Sequence, residues 1–149
     1  MPDVISQYNH TYKKLVNQEV DLDNLKAILL DATGTFNAAH TTLDQVAGAV
    51  DGGHRPKEVY GNGWTEGGEV LGSVVVSIWN TNGFMLDAAD TRKTAVGGPI
   101  GPYDHVVIVD GATGAPLWHI ENESTKEAGE ATDNVIVYNA GGIFRGALT

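Results

Sequence analysis

The chain has no cysteine among its 149 residues. That excludes disulfides and cysteine-ligated zinc or iron–sulfur centres, and with them a small secreted disulfide scaffold. Basic residues are scarce: 9 Lys+Arg stand against 19 Asp+Glu, a net charge of −10. Such a surface offers little to phosphate and is repelled by an anionic bilayer, so neither nucleic acid nor membrane is an expected partner. Long hydrophobic runs are missing too. Val74-Val75-Val76 and Val106-Val107-Ile108-Val109 fall far short of the ~20 residues of a membrane span. The opening Met1-Pro2-Asp3-Val4-Ile5-Ser6 has no basic and then apolar stretch, so no signal peptide is expected. No phosphate loop of the G-x-x-x-x-G-K-[ST] type and no G-x-S-x-G nucleophile elbow occurs. What the chain does have is glycine, 19 residues, and 42% hydrophobic residues. Its length suits one domain with a sizeable core and many turns.

Along the chain the hydrophobic pattern changes once. Val4, Tyr8, Tyr12 and Leu15 fall on one stripe at helical spacing, with Pro2 and Asp3 at the start and Lys13 and Lys14 near the end. This predicts a helix over 3–16, amphipathic, lying against a sheet or a partner. Period two follows. Leu25–Leu30 reads as a strand buried on both faces, and Leu43–Val50 as a short strand or helical turn. Glu69–Trp79 is a strong strand pattern, with Asn80-Thr81-Asn82-Gly83 turning it back through Phe84-Met85-Leu86. Tyr103–Asp110 and Ala115–Glu121 flank a tight turn at Gly111–Gly114. Asn122–Thr132 reads as an exposed polar loop, and Val135–Tyr138 as a strand that Gly141-Gly142 breaks and Ile143-Phe144 resumes. The expectation is a mainly β, antiparallel sandwich or barrel-like single domain with one N-terminal helix: a helix or arm over 1–18 and a β domain over 19–149.

Candidate chemistry is thin. His119-Ile120-Glu121 has the H-x-E form of zinc deaminases, but that chemistry needs cysteine ligands. The pair is expected on the solvated face of a strand. Asp21-Leu22-Asp23-Asn24 starts like a calcium loop, but Lys26 and Thr33 stand where Gly and Glu are required. Gly61-Asn62-Gly63-Trp64-Thr65-Glu66-Gly67-Gly68 precedes a strand, so its glycines are expected to shape a bent loop or bulge. Trp64 either caps the core or presents an aromatic anchor to a partner. No catalytic, cofactor-binding or metal-binding residue is assigned. Tyr8, Tyr12, Tyr60 and Trp64 are the candidate partner-interface residues.

Several segments in order carry a resemblance. They are Tyr8-Asn9 with Lys13 and Leu15, Val20-Asp21-Leu22-Asp23, Leu25-Lys26, and Gly61–Gly68. Val106–Asp110 with Pro116-Leu117 comes next, and Tyr138-Asn139-Ala140-Gly141-Gly142-Ile143-Phe144 closes the set. From about Tyr8 to Leu148 the chain resembles a family of small structural proteins encoded among the head and tail genes of tailed bacteriophages. It departs at Trp64, where the family more often has Tyr, and at Gly146-Ala147, which replaces an apolar strand ending. The resemblance implies a virion component without catalytic residues or cofactors. The favoured expectation is a capsid decoration (cement) protein, a dimer or trimer bound to the major capsid protein on the capsid exterior. A tail or adaptor protein is the alternative. A glycan-binding module using Tyr60, Trp64 or Trp118 is a third reading.

Overall fold

The computed structural model describes residues 3–79, 83–138 and 144–147. In chain order these form β1 (Val4–Gln7), α1 (Thr11–Val16), a 3₁₀ turn (Leu22–Asn24), β2 (Leu25–Leu30), α2 (Leu43–Ala47), β3 (Glu58–Val59), β4 (Glu69–Val70), β5 (Gly72–Trp79), β6 (Gly83–Ala89), β7 (Thr91–Thr94), β8 (Ile100–Asp110), β9 (Pro116–Ala128), β10 (Asp133–Ile136) and β11 (Phe144–Ala147). Strand makes up 47% and helix 11%, so the mainly β, antiparallel expectation holds, although the sheets do not close into a barrel.

The main sheet has six strands in the order β1-β9-β8-β2-β3, with β4 also paired to β2. β8 and β9 form its centre because Gly111–Gly114 reverses the chain between them: Asp110 N donates to Ala115 O at 3.0 Å, and Gly114 N to Asp110 O at 2.7 Å. β2 lies along β8 from Leu25↔Asp110 to Leu30↔His105. Five of its six residues are buried, as its run of apolar residues predicts. One face of the sheet carries Leu25, Ala27, Leu29, Val106, Ile108, Trp118 and Ile120, and packs with Trp64, Leu71, Leu86, Ile100, Tyr103 and Tyr138. The other face carries Ile28, Leu30, Val107 and Val109, covered by Tyr8, Phe36 and the α2 residues Leu43, Val46 and Ala47. A capping box starts α2: the Thr42 side chain accepts from the N3 backbone while Gln45 Oε1 accepts from Thr42 N at 3.2 Å. The small sheets β10-β7 and β11-β6-β5 complete the described fold.

Four expectations need correction. The helix over 3–16 is instead a strand and a shorter helix. Val4–Gln7 pairs antiparallel with Glu121–Trp118 of β9, and only Thr11–Val16 is helical. The expected arm over 1–18 is thus built into the main sheet at β1. The supposed loop at Asn122–Thr132 is largely the second half of β9, which runs to Ala128 beside the start of β8. Its side chains from Glu123 to Glu127 are exposed, so no apolar alternation marks it. Glu69–Trp79 is two strands, broken at Leu71, with Ser73 at φ 52 and a register shift between Gly72 and Val75. Finally, β7 was unexpected: Thr91-Arg92-Lys93-Thr94 has no apolar residue, and its pairing with β10 supplies what periodicity lacks. The turn expected at Asn80–Asn82 and the break at Gly141-Gly142 lie outside the described residues.

Candidate functional site

The four candidate interface residues divide into two buried and two exposed. Tyr8 closes β1 and is fully buried. Its N–H donates to Leu117 O at 3.1 Å, and its ring meets Phe36 with centroids 5.0 Å apart. The segment after it is held to the start of β9: His10 Nε2 lies 2.5 Å from Pro116 O, and Thr11 Oγ1 donates to Leu117 O at 2.8 Å. α1 then turns its outer side to solvent, leaving Tyr12 43% exposed beside Val16.

Trp64 is only 2% exposed and belongs to the main core, so of its two readings the capping one describes it. The Gly-rich segment makes this burial possible. Gly61 N donates to Trp64 O at 2.8 Å and Trp64 N to Gly61 O at 3.1 Å. The two residues between them, Asn62 and Gly63, have φ of 54 and 111. Positive φ at both central positions is what a primed two-residue turn requires. The Asn-Gly pair was the sequence signal for this turn, overlooked because no long strands flank it. The turn is pinned from outside by Asn62 Nδ2, which donates to Pro99 O at 2.7 Å, and by Val96 N, which donates to Asn62 O at 2.8 Å. Gly63 lies so close to β7 that a Cβ there would sit 2.5 Å from Thr94 O. Asp51-Gly52-Gly53-His54 repeats the turn, closed by Asp51 N to His54 O at 2.8 Å.

These turns present Tyr60, 37% exposed, in a small polar cluster. His54 stacks on its ring at 5.4 Å and 23°, and His54 Nδ1 lies 2.6 Å from Glu66 Oε1. Glu58 accepts from Gly67 N at 2.5 Å. Burial raises the Glu58 carboxyl above its usual range, and the Gly67 bond partly offsets that rise. Tyr60 follows β3, at one edge of the main sheet, whereas Tyr12 follows β1 at the other. The two exposed tyrosines therefore serve separate surfaces.

A buried polar chain was missed by sequence reasoning. His119, expected on a solvated face, is 1% exposed. Its Nδ1 lies 3.3 Å from Tyr8 Oη and its Nε2 lies 3.0 Å from His105 Nδ1. With both rings neutral, one of the two facing nitrogens carries the proton, and Tyr8 can donate or accept to match. Phe36 packs against the His119 ring at 5.6 Å. Burial, then the neighbouring His105, pushes His119 down to about 4 from its ordinary value of 6.5. Glu121, on the same face two residues on, stays exposed because the cover provided by Phe36 and α2 ends before it.

Among the described residues no group of three or more His, Cys, Asp or Glu side chains could hold a metal ion. None of their helices is long and apolar enough to cross a membrane. Exposed apolar side chains include Val4, Ile5, Tyr12 and Val16 at one edge of the main sheet and Tyr60 at the other, with Val50, Val70, Val75, Val76, Val96 and Val137 exposed elsewhere. Comparisons with protein-family models, curated proteins and solved structures find no match to this chain.

Proposed function

We propose that this chain is a non-catalytic structural protein of a tailed bacteriophage virion, a capsid decoration (cement) protein bound to the major capsid protein on the outside of the head. The observation that carries the reading is the placement of exposed apolar side chains on opposite edges of the main sheet. Two separated contact edges suit a protein that bridges neighbouring subunits; a ligand-binding protein gathers its contacts in one concave site. The ordered segments that resemble the phage structural family suggest the kind of assembly. The net charge of −10 supports an exterior position, since packaged DNA repels it. Many copies, each with a modest interface, add up to a large stabilisation of the shell.

A glycan-binding role has one feature in its favour, the exposed Tyr60. Trp64 and Trp118, which shared that reading, are buried. The test is co-sedimentation of the purified protein with heads and with tails from virions that lack it. Saturable binding to mature heads is the expected result. Binding to tails alone would replace the decoration role with a tail or adaptor role. Binding to neither particle would overturn the virion assignment.

A further inference from the structure

The outer edge of β1 is open and self-complementary. β1 is the terminal strand of the main sheet, and no described strand lies beyond it. Tyr8 N donates to Leu117 O, so by antiparallel alternation Val4, Ser6 and Tyr8 turn their backbone groups toward β9. Asp3, Ile5 and Gln7 therefore turn theirs outward. The next outward residue confirms the alternation: Asn9 N donates away from β9, to Ala38 O at 2.9 Å. Between Asp3 and Gln7 the edge is short and Asp3 is its one charged residue. It has no lysine, no proline and no bulge, since its register with β9 runs unbroken. Its side chains invite burial: Val4 is 53% and Ile5 40% exposed.

We propose that two copies of the chain pair through this edge, β1 antiparallel to β1 about a two-fold axis at Ile5, so that the main sheet runs on across the dimer. This register sets Ile5 opposite Ile5 of the second copy, Asp3 opposite Gln7, and Val4 opposite Ser6. All three outward residues of each strand then pair, giving about six new backbone hydrogen bonds. Isologous pairing is self-matching here. Ile5 shares its face with Ile120, its partner on β9, so the paired isoleucines extend an apolar row. Asp3, whose Oδ1 already accepts from Glu123 N at 2.7 Å, has its Oδ2 to offer the carboxamide of Gln7, whose own Oε1 accepts from Trp118 Nε1 at 3.0 Å. The acidic Asp3 end of one strand also approaches the end of the other that leads into Lys13 and Lys14. Parallel pairing would set like ends together. A second copy is therefore the occupant that the edge fits by both register and charge. The dimer takes up Val4 and Ile5 of one proposed contact edge and leaves Tyr60 at the other edge for a further partner.

Sedimentation velocity of the purified full chain at about 100 µM is the test, a concentration that populates a dimer of micromolar affinity. A dimer is expected. Ile5→Lys places two like charges across the axis and should weaken association at least about tenfold. Because Ile5 is partly exposed, the urea midpoint should barely move. Ile5→Cys gives a second reading in a chain without cysteine. Directly opposed strand residues lie about 5.5 Å apart, within disulfide reach. Mild oxidation should cross-link Ile5→Cys, and leave the control Val96→Cys, exposed elsewhere, uncross-linked. A monomeric or trimeric wild type would overturn the proposal. So would a dimer that Ile5→Lys leaves intact, or equal cross-linking of the two cysteine variants.

Discussion

Mild acid should destabilise this protein in large part through His119. The ring is buried between Tyr8, Phe36 and His105, and its pKa is lowered to about 4 from 6.5. In the unfolded chain the ring takes up a proton near pH 6.5, while in the folded chain it resists until about 4. Between those two values the unfolded state binds more protons, so stability falls as pH falls. Above that window the group contributes its full stability, and below it no further loss comes from this ring. Each pH unit in the window is worth about 1.4 kcal/mol, so the whole descent costs about 3 kcal/mol. That is a large share of the roughly 10 kcal/mol that keeps a typical domain folded. The assay is urea unfolding followed by tryptophan fluorescence, from neutral pH down to about 4, on wild type and on His119→Gln. The Gln variant keeps hydrogen-bonding groups in the site and removes the titration. Groups remote from the site are untouched by the substitution, so the difference between the curves reports the His119 site, including its coupling to the neighbouring His105. That difference should favour wild type most at neutral pH and shrink by about 3 kcal/mol on acidification. Parallel curves would refute the reasoning and show that His119 titrates alike in folded and unfolded chains.

Three further predictions concern the frame of the two surfaces. Gly63→Ala should cost more than Gly52→Ala, because both residues have positive φ but only at Gly63 would a Cβ strike backbone, Thr94 O at 2.5 Å; thermal unfolding should separate a strain-only loss of about 1 kcal/mol from a larger one. Trp64→Ala should lose about 3–5 kcal/mol by urea titration, as expected for a large core aromatic, whereas Tyr60→Ala should stay within about 1 kcal/mol of wild type. Deleting residues 1–16 should abolish cooperative unfolding by circular dichroism, because it removes β1 and the fully buried Tyr8; a truncated chain that still unfolds cooperatively would show that β1 is an appendage.

Where burial alone decides structure, the sequence was legible. β2 reads as a strand covered on both faces because it is one, and the Gly111–Gly114 turn is visible because its glycine and small residues leave no alternative. Pairing partners were not legible. Val4, Tyr8, Tyr12 and Leu15 have helical spacing, yet β9 offers Val4–Gln7 a ladder, and tertiary pairing outweighs a weak local preference. The second half of β9 and all of β7 are held by ladders, with polar side chains in water, so they carry no apolar signal. Of the candidate interface residues, Tyr8 and Trp64 are buried, and the buried chain from Tyr8 through His119 to His105 joins positions more than 100 residues apart at its first link. No spacing along the chain marks such a link.

If the chain decorates the phage head as proposed, its copy number must follow the repeats of the shell. Quantitative mass spectrometry of purified virions would compare this chain with the major capsid protein. A decoration role predicts a copy number equal to that of the capsid protein or a simple fraction of it, as binding at repeated sites on the shell requires. A few copies matching a tail or portal ring would contradict the decoration role, and absence from the particle would contradict the virion role altogether.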